Sequence, residues 1–122
     1  MKLSVTAAVL GLAVTLHAVP GLAHHGWRWT TGGNIELTGV VESAKLGNPH
    51  GVVRMDAEGE KWTVEVGQPW RNERAGLKPA HFTPGNELTI IGEPSADSAN
   101  KRMKAERILI NGHTFDLYPN RD

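Results

Sequence analysis

From Ile35 to Glu42 apolar and polar residues take turns, the period of a strand with one face on a core and the other in water. Gly39 interrupts that run and predicts a bulge or bend, the device that lets a strand curl round a small barrel. The chain then turns at Gly47-Asn48-Pro49. Val52 to Met55 predicts a second strand, Asp56-Ala57-Glu58-Gly59 a hairpin connection, and Lys61 to Val66 a third strand with Trp62, Val64 and Val66 on one face. Pro69 to Leu77 has a different character: it holds helix formers, with Pro69 where a first turn tolerates it and Gly76 near the end, and predicts one short helix. Pro84-Gly85-Asn86 turns the chain into a fourth strand, Glu87 to Gly92. A polar loop, Pro94 to Asn100, precedes a fifth strand from Met103 to Ile110. Asn111-Gly112 is a strong hairpin signal and pairs His113 to Leu117 back as a short sixth strand.

Three strands, a short helix and then two or three more strands is the order of an OB-like barrel. The expected fold is therefore all-β: a small Greek-key barrel of five to six strands over residues 35–122, with its helix between strands 3 and 4. A small sandwich is the alternative for a chain of this size, and the position of the helix is what favours the barrel.

Ahead of this domain the pattern is unlike either element. Met1 and Lys2 make a short basic start, Leu3 to Leu16 is an apolar run, and Gly21-Leu22-Ala23 offers the small residues that a signal peptidase reads. Residues 1–23 are thus expected to be a signal peptide cut after Ala23, with a cut after Ala18 as the competing site. The run is too short for a good transmembrane helix. Residues 24–34, rich in glycine and with Trp27 and Trp29, form an arm leading into the barrel.

Composition changes this picture in three ways. The sequence has no cysteine, so an exported chain must rely on packing instead of disulfides. Lysine and arginine number 13 against 13 aspartate and glutamate, a balance that gives no sign of a nucleic-acid partner. Together with the leader, these features point to the bacterial periplasm or the cell exterior, with no integral membrane segment in the mature chain.

The candidate chemistry lies in the histidines. Cleavage after Ala23 makes His24 the first residue, so that its α-amine, its imidazole, the His25 amide and the His25 imidazole become a dense set of nitrogen donors. Such donors suit copper above other divalent ions. His50 follows Asn48-Pro49 at the start of a strand, and the arm from His24 to Ile35 spans at most ~35 Å, enough to fold back to it. His24, His25 and His50 are the expected metal ligands, with copper as the expected cofactor and Glu42, Glu65 or Asp56 as the candidate orienting carboxylates. His81 and His113 read as surface or turn histidines. Trp62 reads as core and Trp70 as the anchor of the helix on the barrel, while Glu36, Glu42, Glu65 and Glu93 read as outward strand residues. No cysteine nucleophile, Gly-x-Ser-x-Gly elbow or His-Glu-x-x-His is present, so no catalytic residue is assigned and the chain is not expected to be an enzyme.

Ala23-His24-His25, Asn48-Pro49-His50, Trp62-Thr63-Val64-Glu65 and Pro84 to Gly92 occur in that order, and together they resemble a family of small exported bacterial proteins classed as a domain of unknown function. The likeness covers nearly the whole mature chain. It departs from the family pattern at Asn86, where Asp is usual, and at Leu77, where Trp follows the Arg-x-Gly. The resemblance implies a periplasmic β-barrel with a His-His start and an NPH turn, and no established activity. A looser likeness is to OB-fold periplasmic copper chaperones, which hold Cu(I) with one His and two Met under a Trp. Met55 and Met103 are the corresponding methionines here, on different strands and without the paired spacing.

The first functional expectation is metal carriage, buffering or delivery. The second is a metal-free module for an exported protein or glycan partner, using the barrel's outer face and loops. The third is an oxidative copper enzyme with an N-terminal histidine chelate.

Overall fold

A computed structural model describes residues 26–121. The signal peptide assigned to residues 1–23, and His24 and His25, lie outside the described residues. Six strands form in the expected order: β1 (Ile35–Lys45), β2 (Val52–Ala57), β3 (Glu60–Glu65), β4 (Glu87–Pro94), β5 (Arg102–Ile110) and β6 (His113–Asp116). The helix α1 (Pro69–Ala75) falls between β3 and β4 and is followed by a 3-10 turn at Pro79–Phe82 that the sequence pattern did not announce.

The sheet closes on itself. β1 pairs with β4 through its first half, Ile35 to Val40, and with β2 through its second half, Val40 to Lys45. β2 pairs with β3, and β3 runs parallel to β5, which returns to β4. The result is the expected five-stranded OB-like barrel, with β6 as an extra strand on the far end of β5. Inside it lie Val53, Met55, Val64, Leu88, Ile90, Met103 and Ile108, each with no exposed surface. A fully buried aliphatic side chain of this kind contributes about 1.5–3 kcal/mol. Among the described residues no helix is long and apolar enough to cross a membrane.

Three local expectations are corrected. The bulge on β1 falls between Val41 and Ser43 instead of at Gly39. Gly39 is needed for a different reason: a Cβ there would lie 2.7 Å from the Asp56 carbonyl oxygen on the neighbouring strand. Trp70 does not anchor α1, being 51% exposed, because the inward side of this two-turn helix carries Asn72 and Ala75. Asn72 holds the helix instead, accepting from Gly67 N–H at 2.9 Å and donating to Gly67 C=O at 3.0 Å. Met55 on β2 and Met103 on β5 are both core residues, on strands with β3 between them. Glu65 and Glu93 are buried, at 3% and 2% exposure, whereas Glu36 and Glu42 face solvent as expected.

Candidate functional site

What covers Glu93 is the arm. Thr30 bridges to Ser95 just past β4, and its hydroxyl group contacts the Trp27 carbonyl at 2.7 Å and Glu93 Oε1 at 3.0 Å. Backbone bonds from Thr31 N–H to Pro94 C=O and from Ala96 N–H to Trp29 C=O fasten the strap. The two tryptophans then lie on cations, Trp29 under the Arg102 guanidinium at 4.0 Å and Trp27 under Arg121 at 3.8 Å. Such stacking pairs a ring's negative face with a positive charge.

Between strap and barrel is an open cleft of about 620 Å³. Its polar groups come from separate elements: His50 from the loop before β2, Glu65 from the end of β3, Arg71 from α1, Arg102 and Lys104 from the start of β5, and Tyr118 from the segment after β6. Gly26, the first described residue, lines the same cleft, and a Cβ there would be 2.7 Å from Lys104 Nζ.

Glu65 organises one side. Its Oε1 meets His50 Nε2 at 2.8 Å and Arg102 at 2.6 Å. The other ring nitrogen, Nδ1, lies 3.4 Å from the Gly51 carbonyl oxygen, which can only accept, so this contact is a hydrogen bond when Nδ1 carries the proton and is given up when Nδ1 offers a lone pair to a metal. Of the three carboxylates that the sequence offered as partners for a ligating histidine, Glu65 is the one in contact with His50; Asp56 and Glu42 are tied to Lys61 on the surface. The other side is cationic. Lys104 is only 6% exposed, and burial pushes its ammonium below the usual lysine range; Glu65 pulls it up, while Arg71, Arg102 and Arg121 press it further down. Burial also raises Tyr118, keeping its hydroxyl protonated.

His50 therefore stands in the cleft. His24 and His25 directly precede Gly26 in sequence, and one residue advances the chain by ~3.8 Å. Among the described residues no three His, Asp or Glu side chains gather as a metal-holding set. His81 lies elsewhere and has a turn role, its Nδ1 accepting from Lys78 N–H at 2.9 Å, and exposed His113 packs its ring on Phe115. Sequence reasoning missed Arg71, Arg102, Lys104 and Tyr118. The alternation of β5 did put Lys104 on the face opposite Met103, but it carried no sign that the arm would cover that face.

The chain belongs to the family of unknown function DUF6152, whose model matches residues 12–104. No curated protein matches it. Among solved structures it is similar to the crystal structure of the ZRD-deleted mutant of TiaS in complex with agmatine, with a TM-score of 0.50 at 13% identity over 69% of this chain. The chain spans 26% of the length of that TiaS chain, and the likeness shows the barrel fold alone.

Proposed function

We propose that this member of the DUF6152 family is an exported metal-binding protein that holds copper through His24, His25 and His50 for carriage, buffering or delivery. The observation that supports the reading is that Gly26, the residue after His25 in the sequence, lines the same cleft as His50. Glu65 supports it as well. A carboxylate on the far nitrogen of a ligating imidazole fixes its tautomer and orientation and raises its basicity. Cleavage after Ala23 would add the α-amine of His24 to the donor set.

A copper titration of protein exported and processed by a bacterial host, its first residue checked by intact mass, tests the proposal. The expected result is a tight one-to-one complex on a chain beginning at His24, weakened by one added residue ahead of it and by His50→Ala with the barrel intact. Affinity should fall as pH drops through the imidazole range, because protons compete for the same nitrogens. Binding that ignores both changes would refute the site.

The positive lining of the cleft favours a second reading, a module that works without metal. It predicts weak copper binding and an organic or protein ligand in the same cleft.

A further inference from the structure

We propose that the floor of the cleft is a binding site for a small oxyanion, a molecule bearing a carboxylate or phosphate group, held by Lys104 and Arg71 beneath Trp27. This does not rest on the copper reading, since neither residue belongs to the metal set.

The argument is one of unmatched charge. Four formally charged side chains line the cleft: Glu65, Arg71, Arg102 and Lys104. Arg102 is neutralised by Glu65 at 2.6 Å through the oxygen that also receives His50, while the other Glu65 oxygen is buried without a partner among the described residues. Arg71 and Lys104 have no carboxylate within ion-pair distance among the described residues. Lys104 is 6% exposed as a whole residue and lines the cleft, and no salt bridge joins it to a carboxylate among the described residues. Buried charges are normally paired, because desolvation penalises an isolated one heavily. Ring faces offset only part of that penalty: Lys104 lies 5.2 Å from the Trp27 centroid, and Arg71 4.2 Å from that of Tyr118.

Arg71 has donors to spare. Its Nη1 gives a hydrogen bond to the Leu117 carbonyl at 3.1 Å, and its Nε is buried without any acceptor. Arginine and lysine are the side chains suited to a charge-assisted bond with carboxylate or phosphate oxygens. An oxyanion seated between them would supply the missing negative charge, with the Tyr118 hydroxyl as a neutral donor. Trp27, edge-on to Tyr118 at 5.2 Å, roofs the position.

Chelator-treated mature protein, labelled with ¹⁵N, would be titrated near neutral pH with sodium phosphate and separately with sodium acetate, at ionic strength held constant with sodium chloride. The expected result is a saturable shift of the Trp27 indole N–H with at least one of the two anions, the better one naming the head group. Lys104→Met and Arg71→Met should each weaken it about tenfold or more, the loss of one charge-assisted contact, while Lys104→Arg should keep it. Arg71 is only partly buried, so Arg71→Met decides the matter if Lys104→Met fails to fold. Shifts that grow linearly without saturating, or saturable shifts unchanged in these variants, would overturn the proposal.

Discussion

Glu65 occupies a position where two demands meet, since one of its oxygens serves both His50 and Arg102. Removing its charge should therefore affect copper and fold together. Glu65→Gln is expected to lower copper affinity about 10- to 100-fold, the range seen when a carboxylate behind a ligand is lost, and a titration beside wild type reads it directly. Lys104 is the residue whose burial works against the fold. Its lowered pKa means the folded state releases this proton before the unfolded state does. Between that lowered value and the ordinary 10.5 the unfolded chain thus holds more protons, and stability rises with pH. Denaturant unfolding across the alkaline range should show wild type gaining on Lys104→Met in that window. Parallel curves would mean that Lys104 keeps its proton in the fold as it does in the open chain.

At the scale of elements, the barrel depends on places where backbone passes close to backbone. Gly92 sits at the break in register between β4 and β5, and a Cβ there would lie 2.0 Å from the Lys104 carbonyl oxygen. A backbone atom cannot swing aside as the end of a side chain can. Gly92→Ala is therefore expected to destabilise by about 3 kcal/mol or more, measured by urea unfolding. It should also disturb the cleft, because Lys104 is the residue displaced. The helix gives a contrasting pair. Asn72→Ala leaves the Gly67 N–H without its acceptor, while the Gly67 C=O keeps the Gly51 N–H, and should cost about 1–3 kcal/mol. Trp70→Ala removes a ring half open to solvent and should cost less. An equal loss in both would mean that the helix is held by Trp70 after all.

For the whole molecule, the end of the chain locks its beginning. Arg121 reaches Glu93 on β4 and Glu106 on β5 while its guanidinium lies over Trp27 of the arm. Glu106 also accepts from the Asn34 amide at 2.7 Å and has no exposed surface. Arg121→Met leaves two buried carboxylates without this cation. It is expected to cost about 2–3 kcal/mol, less than a fully enclosed pair because Arg121 is partly open to water. The Trp27 indole should become more accessible to a fluorescence quencher in the same variant. A stable protein with unchanged quenching would show that the arm is held by its backbone bonds to Pro94 and Ala96 alone.

Much of the barrel was legible because strand period and turn chemistry are local. Alternation located all six strands, and Asn111-Gly112, with φ of 50° and 77°, makes the hairpin its composition announced. The helix was placed between the right strands by its formers and by Pro69, although which of its residues face inward was misjudged at Trp70. His50 could be singled out because a proline turn precedes it; the company it keeps could not. Alternation says on which side of a strand a residue lies, and that side was read as water for Glu65 and Glu93. Only the tertiary structure buried them, by setting Thr30 of the arm and Arg121 on Glu93, and His50 and Arg102 on Glu65. Cleft, charge pairs and unmatched cations join residues dozens of positions apart, and no local pattern records which distant segment will cover them.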